Sequence, residues 1–265
     1  MRSFFISLKS EFYKSRKSLA FWASILLPLI ICGLLTVGFY TSSEKILKMN
    51  YPAEGIWYQF LRQPISLMGM LILPFYVIFM AFSVNNIEHK NDTWKMLFSQ
   101  PLNKFSIYAA KFLYGIILIF ICLFLFAAFG LFFGLILSKL IPAFKFQDYS
   151  PINFLWVVYL KLFLSALGIY SIQFILSLIW ADFLKPMGIG FVLTIVGLIT
   201  ILTRWEYAIY IPYGSPTDIV SSAFGTEKIL SPPFPIFIES IWVSLICSIV
   251  SFIAGYYILS QRNIK

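Results

Sequence analysis

Six long apolar runs, each bounded by polar or charged residues, constrain this chain more than anything else in it. They fall at 19–40, 65–84, 112–138, 156–181, 187–203 and 236–259. A helix rises 1.5 Å per residue, so about 20 apolar residues cross the roughly 30 Å hydrocarbon core of a bilayer once. Within lipid, backbone N–H and C=O groups must be paired inside the segment, which makes each run a helix. The fifth run is short and reaches across only by tilting little or by borrowing residues 183–186. The expected fold is therefore an all-α integral membrane protein, a single polytopic domain over 1–265 with six transmembrane helices. Pro28 and Pro74, inside the first two runs, predict kinks or backbone groups that find other partners.

Composition agrees, since only 12% of the residues are charged and 60% are hydrophobic, against about 25% charged in a soluble domain. The net charge of +9 is carried by cations lying between the apolar runs. That arrangement suits anionic lipid headgroups rather than nucleic acid. Cys32, Cys122 and Cys247 sit inside apolar runs and no C-x-x-C spacing exists, so neither a metal site nor a disulfide framework is expected.

An even number of crossings puts both termini on one side. With the termini inside, the inner segments hold twelve Lys and Arg residues and the outer segments eight, and cytoplasmic segments are the ones enriched in Lys and Arg. The expectation is cytoplasmic N- and C-termini. Residues 1–18 carry Arg2, Lys9, Lys14, Arg16 and Lys17, while Phe4, Phe5, Leu8 and Phe12 recur every three or four positions. On a helix these apolar residues make one face opposite the cations, which predicts an amphipathic helix lying in the headgroup plane. The run that follows is too long for a cleaved signal peptide and lacks a small-x-small site. The outer connection 204–235 is rich in Pro, Gly, Ser and Thr yet too aromatic for a plain solvated loop, which makes re-entrant or interfacial pieces plausible there.

The chemistry that is missing narrows the function. No Gly-x-x-x-x-Gly-Lys-Ser/Thr phosphate loop exists, so the chain does not itself cradle ATP. One histidine excludes a His-Glu-x-x-His zinc site, and no carboxylate pair presents itself. Ion-coupled carriers need ionisable groups deep in the membrane. Here the middles of the spans lack them, with Lys161 expected to snorkel to the outer headgroups. Such a protein is passive or is driven by another chain.

Attention falls on the polar island 85–111. It contains the lone histidine, His89, which reads as a solvated loop residue. A short helix from Ile87 would present Trp94, Met96, Leu97 and Phe98 beside Glu88, Lys90, Asp92 and Lys95, and Pro101 would end it. That is the pattern of a coupling helix docking into a groove on a soluble partner, or of an interfacial helix that only anchors the loop.

Glu88, the run Asp92-Thr93-Trp94-Lys95-Met96-Leu97, Ser99-Gln100-Pro101 and the stretch Lys104 to Lys111 resemble the first cytoplasmic loop of ABC-2-type transporter permeases. In that family a Glu is followed by Gly/Asp-Thr, a Leu, a Leu/Ser-x-Pro and a basic-x-x-Ile/Tyr-x-x-Lys stretch. Leu8-Lys9-Ser10-Glu11-Phe12-Tyr13-Lys14 is similar to the family's amphipathic start. Asp92 stands where glycine is common; it is itself a good helix-start residue. The aromatic spans look most like permeases of lantibiotic-immunity and bacitracin-type peptide exporters.

The resemblance implies a membrane subunit without catalytic residues, cofactor, metal or nucleotide site of its own. ATP and Mg would be held by a dimer of cytoplasmic ABC ATPase subunits, docked through Glu88, Asp92, Thr93, Trp94, Leu97 and Pro101. A second permease, identical or a sister, would complete a transporter in the bacterial plasma membrane, exporting an amphipathic peptide or other hydrophobic substrate in antimicrobial peptide resistance or bacteriocin immunity. Competing readings are a non-transporting scaffold or sensor and an intramembrane lipid-modifying enzyme. Two smaller features stand beside it. Gly130 and Gly134 form a small-x-x-x-small contact face in the third span. Arg204-Trp205-Glu206 reads as an interface anchor at the outer end of the fifth.

Overall fold

The computed structural model describes residues 2–90, 102–225, 230 and 234–261. Among them the regular structure is entirely helical. Helix α1 (Arg2–Ser15) precedes α2 (Leu19–Thr41) and the short α3 (Ser43–Lys48). Next come α4 (Ala53–Leu67) and α5 (Leu73–Lys90), joined end to end through Met68–Ile72. Then follow α6 (Lys104–Leu140), α7 (Ile152–Ile179), α8 (Leu184–Leu202), α9 (Ser215–Phe224) and α10 (Glu239–Gln261). Among the described residues, six helical segments are long and apolar enough to cross a membrane: α2, the α4–α5 rod, α6, α7, α8 and α10.

The chain chemistry explains where these helices start and bend. Ser18 Oγ accepts from Phe21 N at 3.3 Å and Asn103 Oδ1 from Phe105 N at 2.9 Å, capping α2 and α6 with the residue types that best satisfy free helix-start donors. Pro74 has no N–H and its ring crowds the carbonyl four residues back. The rod absorbs this through a π turn at Met68–Ile72, where Leu73 N donates to Met68 O, five residues earlier. Gly69 lies in that turn, and a Cβ on it would strike Val220 and sit 3.2 Å from Leu162. The missing side chain lets α9 and α7 close on the turn.

Helix α7 is the centre, packed against α5, α6, α9 and α10. At Gly168 an added Cβ would lie 2.9 Å from Ser244 Cα, so α7 and α10 meet almost backbone to backbone. By contrast, α2, α8 and α10 turn apolar rows outward, for example Leu26, Ile30, Leu34 and Val37 on α2 and Ile246, Ile249, Val250 and Ile253 on α10. Such surface suits hydrocarbon.

Between the first two apolar runs, 41–64 is mostly helix, and α4 buries Ile56, Trp57, Phe60 and Leu61. Trp57 Nε1 donates to Phe146 O at 2.9 Å, with the rings 4.4 Å apart. Lys161 does not snorkel; it is 2% exposed, because α9 folds back over the first half of α7. In 204–225, short turns at Ala208–Tyr210 and Pro212–Gly214 lead into α9, whose Ser215, Pro216, Thr217, Ile219 and Val220 are buried.

Candidate functional site

At the end of the bundle where α1 lies, four charged side chains from three helices meet. Helix α1 turns a polar stripe inward: Ser7, Glu11 and Ser15, four residues apart, are all buried, as helical periodicity requires of one face. Glu88 stands near the end of α5 and Lys111 in the second turn of α6. Lys111 Nζ donates to Glu88 Oε2 at 2.6 Å, to Glu11 Oε2 at 3.0 Å and to Val84 O at 2.9 Å. Lys14 Nζ donates to Glu11 Oε1 and Glu88 Oε1, both at 2.8 Å. Each carboxylate thus gives one oxygen to each lysine, and the four groups close a ring of zero net charge.

The ring is nearly dry. Glu11, Glu88 and Lys111 side chains are 2–3% exposed, and only Lys14, at 28%, reaches solvent. An isolated ion at such a site would neutralise rather than stay charged. Here every charge has two opposite neighbours. Burial pulls the Lys14 pKa down, but Glu11 and Glu88 more than offset it and hold the ammonium above the ordinary lysine value. The edge of Phe12 against Tyr114, centroids 4.8 Å apart, continues the α1–α6 contact beside the ring.

A neutral polar layer lies against the same end. Asn85 Nδ2 donates to Ser177 Oγ at 2.8 Å and Phe174 O at 3.2 Å, and Ser177 Oγ donates to Ala81 O at 2.9 Å. His89 Nε2 lies 3.0 Å from Ser177 O, so the histidine read as a solvated loop residue is half-buried and ties α5 to the last turns of α7.

A second polar cluster sits deeper, towards the opposite end. Asp218 Oδ2 accepts from Ser240 Oγ at 2.7 Å, Ser244 Oγ donates to Ser215 Oγ at 3.1 Å, and Ser215 Oγ donates to Ser240 O at 3.3 Å. Asp218 also exerts an attractive field on buried Lys161. Gln173 Nε2 donates to Tyr213 OH at 2.7 Å. Together these bonds hold α9 and the turn before it against α7 and α10.

The residues singled out from sequence fall in different places. Glu88 is 1% exposed, in the ring rather than on an open docking surface, and 85–90 continue α5. Asp92, Thr93, Trp94, Leu97 and Pro101 lie outside the described residues. On α1, Phe5 is exposed at 65% while Phe4, Leu8 and Phe12 are half-buried; Lys14 turns inward instead of joining the outward cations. Gly130 and Gly134 receive Leu61 and Trp57 of α4, a contact within the chain. Arg204 is exposed and takes φ 55° where α8 ends.

Sequence reasoning missed Glu11 and Lys111 as partners and found no carboxylate pair, yet Glu11 and Glu88 share both lysines. A signal was present: Glu11 is the sole acid among residues 1–18, and Lys111 is the last cation before the third apolar run. Among the described residues no group of three His, Cys, Asp or Glu is placed to hold a metal ion.

No curated protein and no solved structure matches the chain. The family model described as "ABC-2 family transporter protein" matches residues 7–197, a stretch that holds all four ring residues, four of the six long apolar helical segments and most of a fifth. The chain therefore belongs to the ABC-2 transporter family, as one of its multi-pass membrane permeases.

Proposed function

We propose that this permease is the membrane half of an exporter driven by a separate cytoplasmic ABC ATPase, acting with a second permease copy or sister chain. The reading rests on family membership together with the absence of any phosphate-loop sequence in the chain. The described part of the membrane interior also supplies no chain of titratable groups for ion coupling; Lys161 is buried there within the electrostatic influence of Asp218. Energy must then enter from outside the spans, and the loop between Glu88 and Lys111 is where the sequence resemblance puts the ATPase. In this reading Asp92, Thr93, Trp94, Leu97 and Pro101 make the contact, and Glu88 holds the root of the loop.

The termini face the cytoplasm and α1 rides at the headgroup level, its outward Phe5, Ile6 and Tyr13 dipping towards acyl chains beside Lys9, Arg16 and Lys17. The outward apolar rows of α8 and α10 are left for lipid and for the second permease. The substrate is an amphipathic peptide or comparable hydrophobic molecule, and self-protection against an antimicrobial peptide is the role that fits the aromatic spans. The test is co-purification in mild detergent, from native cells, with a cytoplasmic ABC ATPase subunit. Retention of that subunit with ATP hydrolysis supports the reading, and Trp94→Ala should release it. An ATPase that stays bound with unchanged turnover after Trp94→Ala would remove the docking assignment.

A further inference from the structure

We propose that the ring of Glu11, Lys14, Glu88 and Lys111 is the positioning element that makes α1 a working part of the coupling loop. In this arrangement α1 and both roots of the loop move as one body. The inference rests on the ATPase-coupled reading above and adds to it the residues that carry motion from the loop to the N-terminal helix.

The geometry carries the argument. Three helices give three pairwise junctions, and each junction has its own ion pair: Lys14–Glu88 between α1 and α5, Glu11–Lys111 between α1 and α6, and Glu88–Lys111 between α5 and α6. The fourth contact, Lys14–Glu11, lies within α1 and closes the ring. A triangle braced on every side cannot shear at one junction without straining the other two. Separating any pair would take one of its two opposite neighbours from a dry carboxylate, so a half-open ring is disfavoured.

Packing alone does not call for this. Apolar side chains of similar volume fill such a site as well or better than ions do, and buried charges are best attested where one register must be specified. Here the register fixed is that of α1 against the last turn of α5 and the second turn of α6, the two helices that flank the loop. The outer side of α1 bears Phe5 and Tyr13, 65% and 66% exposed, so the braced unit has a surface suited to sliding at the interface while its inner side stays locked.

Charge swaps test the ring as a ring. Glu88→Lys with Lys111→Glu restores the α5–α6 pair but sets like charges against Lys14 and Glu11. Glu11→Lys with Lys14→Glu does the same from the α1 side. Each double variant should lower ATPase-driven turnover of the complex roughly tenfold, as expected when buried pairs are broken, and the fourfold swap should recover it to within about twofold. Recovery by the first double variant alone would overturn the proposal, since a simple α5–α6 pair would then suffice.

A second measurement needs no charge change. With Cys32, Cys122 and Cys247 replaced by alanine, spin labels at exposed Ser10 on α1 and Phe105 at the start of α6 report the distance between them. It should be the same in nucleotide-free and vanadate-trapped complexes, and a shift of several ångströms would overturn the inference while the bound ATPase left the function standing. Loss of the ATPase from the unaltered chain would instead overturn the function, and this inference with it.

Discussion

Glu88 and Lys111, 23 positions apart, meet at 2.6 Å with side chains only 2% exposed. The segment between them contains the loop proposed above to meet the ATPase, and the dry ion pair joins the two helices that flank it. Glu11 and Lys14 brace that pair from α1.

Lys111 and Lys14 contact the same two carboxylates but differ in solvent access. Lys111→Met leaves Glu11 and Glu88 facing each other with one lysine, and breaking a buried pair in this way costs about 3–5 kcal/mol. Lys14→Met should cost about 1 kcal/mol, because its partly solvated charge is screened and Lys111 remains. Thermal unfolding in one detergent gives both numbers, and equal losses would contradict the geometry.

The Lys14 ammonium also sets a pH window. Its folded pKa lies above the ordinary lysine value of 10.5, so its contribution is fully present below that pH and is lost as pH rises through the folded value. The melting-temperature gap between the unaltered chain and Lys14→Gln should stay flat from about pH 7 to about pH 10 and narrow above it. A gap that closes between pH 7 and 9 would show that another group sets it.

Gly130 and Gly134 lie one turn apart on α6 yet should respond differently to alanine. At Gly130 the nearest atom to a new Cβ is Leu61 Cδ2 at 3.6 Å, ordinary contact, whereas at Gly134 the Cβ would run into the Trp57 ring. Trp57 is buried and tied to Phe146 O, so it has little room to yield. Gly134→Ala should cost about 1–3 kcal/mol by overpacking, and Gly130→Ala should be near neutral in the same thermal assay.

Lys161 and Asp218 should be energetically coupled. Lys161→Met and Asp218→Asn each leave a charge facing a neutral neighbour, so the double variant should lose less than the sum of the singles, by about 0.5–3 kcal/mol. A strictly additive cycle would mean that the pair does not hold α9 in place.

Sidedness is open to direct chemical labelling. With the native cysteines replaced, cysteine at exposed Lys48 should react with a membrane-impermeant maleimide on intact cells, and cysteine at exposed Lys17 only after permeabilisation. The reverse pattern would invert the topology.

The apolar runs announced the helices because hydropathy is a local property: the bilayer asks each segment only for length and for the absence of unpaired charge. Pro74 likewise announced a break in the second rod, although the form it takes, a π turn admitting Val220 beside Gly69, depends on how α9 packs. Lys161 shows the limit of local reading. A lone lysine in an apolar run looks like a residue reaching for headgroups, and only the fold-back of α9 supplies Asp218 instead.

Local composition and motif content alone make this a chain that spans a membrane several times, lacks a phosphate-loop motif and places a charged island between its second and third spans. That Glu88 faces inward, in a ring with Glu11, Lys14 and Lys111, emerges from the helix packing. Ion pairing across three helices depends on how far each helix is rotated about its axis and how closely the axes approach. Those quantities come from the packing of all the helices together, and no window of neighbouring residues contains them.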